Sequence, residues 1–246
     1  MTKGKQRLLY LFLFLGVLSI IYRYLPFNIE YIGFEDKIYA HRVNSIEKLE
    51  SALHYFKGIE LDLVYDEVNN VLDVNHPPAQ SIGLDFETYL SKIKNDNQPK
   101  LWLDIKNLDT TNNQKIHLKL MTLLQPKDYN LSDVLVESVH PEALTVFSKD
   151  FKISYYLPIK LHAKSPDKQD SIIKLIKSKL NKLPNLGLSL QYDDYTFITQ
   201  HFPLATKNIY AVPSSLKFKQ IEIRERLKDT TVAILITRFR ALKGNR

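Results

Sequence analysis

The first feature of this chain is a pair of carboxylates bracketed by two histidines. Glu60 and Asp62 lie two residues apart in a strand-like run, with His41 before it and His76 after it. Side chains two apart on a strand point to the same face, so both carboxylates should face one site. Histidine exchanges protons near neutral pH and suits general acid–base catalysis. Such groups beside a hard metal ion can split a phosphate ester.

A third strand-like run adds one more carboxylate and a cation. Asp104 and Lys106 share a face by the same alternation. Three inward carboxylates would repel each other unless a cation lies among them, and oxygen-only ligands favour Mg²⁺ or Ca²⁺ over zinc. We therefore predict a divalent-cation site made by Glu60, Asp62 and Asp104. The alternative is a structural ion pair of the acids with Lys106 or Arg42.

Two cations and two further polar residues complete the candidate site. Arg42 and Lys106 suit a phosphate group, because arginine offers a planar fork and lysine a point charge. Asn44 is a further candidate ligand for metal or substrate, although asparagine at such a place is more often a turn or cap residue. Glu137, at the end of the fourth predicted strand, is another candidate site residue.

The elements that would position these residues alternate along the chain. Helix-like runs separate eight strand-like runs, which is typical of parallel pairing and of a (β/α)8 TIM barrel, and 246 residues is a usual length for one. An open doubly wound sheet is the alternative, weakened by the lack of a Gly-x-Gly-x-x-Gly motif after the first strand. Strands are predicted at 37–41, 58–64, 100–105, 133–136, 151–157, 187–191, 208–212 and 231–236.

Several connections are also predicted. Residues 45–56 are expected to be helical with Ser45 as a partial cap, while 141–148 and 214–228 are expected to be helices late in the chain. Residues 71–75 form either a hairpin strand or a loop. Barrel active sites lie at the carboxyl ends of the strands, where the polar candidates cluster in this sequence.

Composition limits the classes of function. The net charge is +7, which indicates either a lysine-rich surface or attraction to anionic lipid or a phosphate-bearing substrate. There is no nucleic-acid-binding motif, so no nucleic-acid partner is expected. The chain has no cysteine, which excludes disulfides, thiolate metal sites and a thiol nucleophile.

The amino-terminal segment predicts a membrane anchor. Three basic residues precede an uncharged apolar run over 8–21, and we divide the chain into a cytoplasmic tip and transmembrane helix at 1–25, a linker at 26–36 and a barrel at 37–246. The alternative is a cleaved signal peptide, for which no small-x-small cleavage site follows. The leading positive charge predicts a cytoplasmic amino terminus and a periplasmic or otherwise extracytoplasmic barrel.

The ordered motifs resemble a known family. Ala-His41-Arg42, Glu60-x-Asp62, His76 and Asp104-Ile-Lys106 resemble the signature of glycerophosphodiester phosphodiesterases, within the barrel superfamily of phosphatidylinositol-specific phospholipase C. The resemblance implies an acid–base pair, a divalent cation on the carboxylates and two phosphate-binding cations. It also implies attack on phosphorus by an adjacent substrate hydroxyl, through a cyclic phosphate. These roles fall on His41 and His76, on Glu60, Asp62 and Asp104, and on Arg42 and Lys106.

The sequence departs from that pattern at several places, and three of them are changes at single positions. Val43 stands where the family usually has glycine, Asp104 where it has glutamate, and Arg238 where the last strand usually ends in aspartate. The His-x-Val-Asn-Ser segment is similar to the menorin branch of the same superfamily. We predict a membrane-anchored, metal-dependent phosphodiesterase that hydrolyses glycerophosphodiesters or phospholipid-derived phosphodiesters. The alternative is a non-catalytic, membrane-tethered barrel that acts as a binding or scaffolding module.

Overall fold

The computed structural model describes residues 3–24, 28–213 and 219–241. Seven α-helices and nine β-strands are present in that part of the chain. The helices, α1 to α7, are Lys3–Tyr24, Ile46–Ala52, Phe86–Ser91, Asn113–Leu124, Pro166–Lys182, Tyr195–His201 and Gln220–Lys228. The strands, β1 to β9, are Ile38–Ala40, Gly58–Asp66, Val71–Val74, Lys100–Ile105, Val134–Ser138, Lys152–Tyr156, Leu186–Gln191, Lys207–Tyr210 and Val232–Thr237.

Eight of these strands close into a parallel barrel. The hydrogen-bonded order is β1-β9-β8-β7-β6-β5-β4-β2, and a further parallel pairing of β1 with β2 closes the ring. β3 pairs antiparallel with the second half of β2, so residues 71–75 contain the hairpin strand rather than a loop. The predicted (β/α)8 barrel is therefore confirmed, and the open doubly wound sheet is excluded.

Side chains from the strands fill the inside of the barrel. One apolar cluster joins Tyr39, Trp102, Leu135, Ile234 and Ile236, which come from β1, β4, β5 and β9. A much larger cluster collects the buried residues of the helices and of the outward strand faces. Parallel strands covered on both faces need apolar residues at nearly every position, which explains why they appear as short continuous apolar runs in the sequence.

Gly58 lets β1 and β2 approach each other at the start of the barrel. A Cβ atom at this position would overlap the ring of Tyr39, which lies opposite it in the register. We expect Gly58→Ala to lower the free energy of unfolding by about 1–3 kcal/mol, the usual cost of overpacking a core. Urea unfolding measures this, with Gly16→Ala as the control because no atom lies within 4 Å of its added Cβ. Equal unfolding midpoints for both variants would contradict the prediction.

Three local expectations need correction or completion. Residues 141–148, predicted as an α-helix, contain the 3-10 helix Pro141–Val146. The charged helix expected at 214–228 is observed as α7, while residues 214–218 lie outside the described part of the chain. Ser45 does cap α2, because its Oγ accepts a hydrogen bond from the backbone N–H of Lys48 at 3.2 Å.

The segment before the barrel is packed against it. Ile29–Tyr31 and Glu35–Lys37 form short 3-10 helices within the predicted linker. Tyr31 is buried, and its hydroxyl lies 2.9 Å from Oγ1 of Thr237 at the end of β9. The described part of this segment is thus held by side-chain contacts to the domain that follows.

The amino-terminal apolar run forms α1, a helix of 22 residues. Its large apolar side chains from Leu8 to Leu18, together with Ile20, are exposed. Across the described residues, no helix combines the length and the apolar character needed to cross a membrane. The structure therefore does not support the predicted transmembrane helix.

Candidate active site

A cavity of about 240 Å³ opens at the carboxyl ends of the barrel strands. It brings together all seven residues predicted to act in catalysis, metal binding and phosphate binding, and Glu137 as well. Those eight lining residues are His41, Arg42, Glu60, Asp62, His76, Asp104, Lys106 and Glu137. Asn44 is not among the lining residues, although it touches one of them.

The three predicted metal ligands form one cluster. Glu60, Asp62 and Asp104 each offer an oxygen, and these oxygens lie within 4.8 Å of one another. Glu60 and Asp62 occupy alternate positions of β2, so their side chains share one face. Asp62 is the register partner of Asp104 on β4. Close, buried carboxylate oxygens are the donor set that Mg²⁺ and Ca²⁺ take, so the residues present fit such an ion. The cluster does not distinguish between the two metals.

Lys106 pairs with two members of this cluster. Its Nζ lies 2.6 Å from Oδ1 of Asp62 and also forms an ion pair with Asp104. Burial alone would lower the pKa of Lys106, but Asp104 and Asp62 outweigh it, and the pKa is raised above its usual value. The ion pairs considered as an alternative to a metal site are therefore present for two of the carboxylates.

Glu60 has a different environment from its two neighbours. Its Oε2 accepts a hydrogen bond of 2.5 Å from the backbone N–H of Arg42, a residue with a φ of 52°. Burial, followed by the nearby charge of Asp62, raises the pKa of Glu60 well above its usual value. A buried carboxylate in this setting is strongly stabilised in its ionised form by a cation, because the positive charge offsets both the burial and the repulsion from Asp62.

Each of the two histidines lies beside a different member of the carboxylate pair. Nε2 of His41 is 3.8 Å from Oε2 of Glu60, and Nε2 of His76 is 3.9 Å from Oδ1 of Asp62. Burial, with help from the positive charge of Arg42, lowers the pKa of His41 to about 4. His41 is therefore neutral at physiological pH and can accept a proton, as a general base requires.

Arg42 contacts the other histidine. Its Nη2 lies 2.7 Å from Nε2 of His76. A guanidinium can only donate hydrogen bonds, so Nε2 of His76 accepts here and the proton of a neutral ring lies on Nδ1. Arg42 and His76 thus form a hydrogen-bonded pair at the mouth of the cavity, and Arg42 also comes within 4.0 Å of Oδ2 of Asp62.

Asn44 orients Asp62 instead of lining the cavity. Its Nδ2 donates to Oδ2 of Asp62 at 2.6 Å, and its Oδ1 accepts from the backbone N–H of Asp62 at 3.0 Å. This reciprocal pair fixes both the backbone and the carboxylate of a proposed metal ligand. Asn44 was predicted as a further ligand for metal or substrate, but the structure leaves it out of the cavity lining and bonds it to Asp62.

We expect Asn44→Ala to weaken divalent-cation binding by about 10- to 100-fold, the usual cost of removing a residue that orients a metal ligand. Calorimetric titration with Mg²⁺ and Ca²⁺ measures the change. Asn113→Ala is the matched control, because the Asn113 side chain donates to the Ala143 backbone oxygen, away from the cavity. Unchanged affinity in Asn44→Ala would show that Asp62 holds its position without this amide.

The loop after β1 is held by residues that the sequence interpretation missed. Lys48 donates to the backbone oxygens of His41 and Arg42 at 2.6 and 2.7 Å. The hydroxyl of Tyr89 donates to the backbone oxygen of Val43 at 2.8 Å. These bonds fix the backbone that carries His41, and no local sequence signal indicates them.

A second group of unpredicted residues forms the apolar wall of the cavity. Tyr156 and Tyr210, from the ends of β6 and β8, stack with ring centroids 5.0 Å apart and planes at 16°. Trp102, Ile236 and Arg238 also line the cavity. The cavity therefore has a charged side built by β1, β2 and β4 and an aromatic side built by β6 and β8.

Comparison with known proteins agrees with the fold. No family model matches the chain, and no curated protein sequence matches it at a significant level. Among solved structures, a glycerophosphodiester phosphodiesterase from Parabacteroides distasonis is similar, with 18% identity, a TM-score of 0.56, and coverage of 83% of this chain and 92% of that one. One from Thermotoga maritima has 13% identity, a TM-score of 0.51, and coverage of 81% and 93%.

The barrel fold is the feature that this domain shares with those solved structures. The resemblance of the ordered motifs to glycerophosphodiester phosphodiesterases agrees with the shared barrel of those structures, at the level of fold. The similarity to the menorin branch stays a prediction.

Proposed function

We propose that this chain is a metal-dependent phosphodiesterase that acts on glycerophosphodiesters or phospholipid-derived phosphodiesters. The observation that supports it best is the carboxylate cluster of Glu60, Asp62 and Asp104 with a histidine beside each half of the pair. Cations for a phosphate lie next to it, and the barrel is shared with structures named as such phosphodiesterases. A bound Mg²⁺ or Ca²⁺ on the cluster would supply Lewis-acid polarisation of the phosphoryl oxygens.

His41 and His76 take complementary proton-transfer roles in this proposal. Neutral His41 accepts the proton of a substrate hydroxyl, whose oxygen then forms a bond to phosphorus. The bond from phosphorus to the leaving alcohol oxygen breaks, and a protonated His76 donates a proton to that oxygen. The product is a cyclic phosphate, and water opens it with the two histidines in exchanged roles. No net proton is gained or lost by the protein over the two steps.

In this proposal, Arg42 exchanges its hydrogen bond to His76 for a bond to the phosphate when substrate binds. In the structure it donates to Nε2 of His76, which leaves this nitrogen without a proton. An anionic phosphate attracts the guanidinium more strongly than a neutral ring does. Movement of Arg42 onto the phosphate would free Nε2 of His76, which would then take up a proton from solvent and so become the acid only when a phosphodiester is bound.

The test is turnover of a panel of glycerophosphodiesters and lysophospholipids by the full chain. We expect hydrolysis that requires Mg²⁺ or Ca²⁺ and stops with a chelator. His41→Asn and Glu60→Gln should lose it. Wild-type rates no higher than those of both variants on every substrate would refute the proposal.

A non-catalytic binding module is the second candidate. The observation that favours it is the placement of Lys106 between Asp62 and Asp104, which neutralises much of the cluster without a metal. Such a module would not need a divalent ion. Calorimetry that finds no Mg²⁺ or Ca²⁺ binding, together with the absence of turnover, would favour it over the enzyme.

We also propose that α1 associates the barrel with a lipid surface. Its exposed apolar side chains follow Lys3, Lys5 and Arg7, a combination that suits an anionic membrane. Co-flotation with vesicles containing anionic lipid should require residues 1–27. Equal flotation of the full chain and of a chain without them would contradict this role. The predicted location, a cytoplasmic amino terminus with an extracytoplasmic barrel, is a separate proposal that does not follow from association with a lipid surface.

A further inference from the structure

Glu137 is a buried carboxylate on the strand next to the metal cluster. It is 1% exposed, lies near the end of β5, and is the register partner of Asp104 on β4. Its side chain lines the same cavity as Glu60, Asp62 and Asp104. It stands beside the cluster of those three oxygens, one strand further round the barrel.

The surroundings of Glu137 leave one of its oxygens unused. Among the described residues, Oε2 has no hydrogen-bond partner, and Ser189 is the polar side chain that interacts with the carboxyl group. The other three carboxylates are each engaged. Glu60 accepts from the Arg42 backbone, while Asp62 and Asp104 share Lys106. A buried oxygen without a partner costs free energy, so one that faces a cavity is available to a ligand that enters it.

No ion pair in the described part of the chain includes Glu137. The charge of Lys106 acts on this carboxyl group, but the ion pairs of Lys106 are with Asp62 and Asp104. The charges of Asp104 and Glu60 also act on Glu137, which shows that all three share one electrostatic environment. An added cation between them would interact favourably with each.

We propose that Glu137 is a fourth carboxylate ligand of the divalent cation, contributed from β5. This rests on the proposed function, because it extends the same cation site. Asp104 has a short side chain, and its Oδ2 is already engaged by Lys106. Glu137 is one methylene longer and has three side-chain torsions, so its free oxygen can turn toward the cluster. Ca²⁺ takes six to eight oxygen ligands, which leaves room for a fourth carboxylate.

The alternative is that Glu137 is a permanently neutral acid that donates a hydrogen bond within the barrel. Glutamine separates the two roles. It has nearly the same shape and can donate the same hydrogen bond, but it carries no charge for a cation. A neutral-acid role therefore predicts that Glu137→Gln leaves cation affinity unchanged, whereas the ligand role predicts a loss.

The experiment is calorimetric titration of the full chain with Mg²⁺ and with Ca²⁺. We expect Glu137→Gln to raise the Kd by at least about 10-fold, the lower bound seen when a residue supporting a metal site is removed. Glu87→Gln, an exposed residue of α3, is the matched control and should leave the Kd unchanged. The melting temperature without added cation reports folding. We expect it to be equal or higher in Glu137→Gln, because a buried charge is removed.

Glu137→Asp is the second variant, and it keeps the charge while withdrawing the oxygen by one methylene. It should also weaken the binding of both ions, and it decides the question if Glu137→Gln fails to fold. Wild-type affinity in a folded Glu137 variant would overturn the inference and leave the proposed function intact. If the wild-type chain bound neither ion, the metal-dependent function itself would be refuted together with the role of Glu137.

Discussion

Replacement of His41 by asparagine is expected to lower kcat for a glycerophosphodiester by about 10²- to 10⁴-fold, the usual contribution of a positioned general base. The reason is specific to this ring. Its pKa is lowered to about 4 by burial and by Arg42, so it is ready to accept a proton at neutral pH. Cation affinity should change little, because His41 lies 3.8 Å from Glu60 and is not one of the three clustered carboxylates.

His54→Asn is the matched control, because His54 is exposed just after α2. This variant should retain full activity. The pH profile gives a second readout. An ordinary histidine becomes protonated near about pH 6.5, whereas His41 should stay neutral down to about pH 4. With the cation saturating, kcat/KM should therefore not fall between about pH 7 and about pH 5 through protonation of this base. A fall centred near about pH 6.5 that disappears in His41→Asn would contradict the assignment.

The barrel could be predicted from the sequence because its strands are buried on both faces. Each of the eight parallel strands, β1, β2 and β4 to β9, needs a short apolar run, and the runs alternate with longer amphipathic segments. The hairpin strand β3 could not be decided, since four residues with an alternating pattern suit a strand or a loop equally well. The 3-10 helix Pro141–Val146 was mistaken for an α-helix because proline at the first turn is compatible with both.

The carboxylate cluster could be predicted because alternation along a strand fixes which side chains share a face. Glu60 and Asp62 therefore had to point together, and the parallel register then placed Asp104 beside Asp62. The contacts between distant segments could not be inferred in this way. Asn44 and Asp62 are 18 residues apart, and Arg42 and His76 are 34 apart. Their pairing depends on loop conformations that no periodic pattern encodes.

The aromatic side of the cavity could not be predicted from the sequence either. Tyr156 and Tyr210 stack across the mouth although they end strands that are not neighbours. Their contact requires the curvature of the closed barrel, which the sequence implies only once all eight strands are known. The charged side of the cavity can therefore be predicted from local spacing, while the aromatic side cannot.

Glu60→Gln and Asp62→Asn are expected to remove cation binding alike but to change the stability of the cation-free protein in opposite directions. Burial and the charge of Asp62 raise the pKa of Glu60 well above its usual value. The folded state then holds a proton that the unfolded state has released, so this group's stabilising effect is full below about pH 4.5 and is lost as pH rises through the folded pKa. Glutamine removes that loss and should raise the urea midpoint at neutral pH.

Asp62→Asn should lower the urea midpoint of the cation-free protein at neutral pH. Both carboxylate oxygens of Asp62 accept from donors, Oδ1 from Lys106 and Oδ2 from Asn44, each at 2.6 Å. An amide must place its NH₂ against one of those donors, which leaves a buried donor unsatisfied at a cost of about 1–3 kcal/mol. Urea unfolding with chelator at neutral pH measures both variants, and calorimetry with Ca²⁺ measures the shared loss of binding. Equal urea midpoints in the two variants would contradict the opposite effects on stability expected from the different partners of Glu60 and Asp62. Retained Ca²⁺ affinity in either variant would show that its residue is not a ligand of the cation.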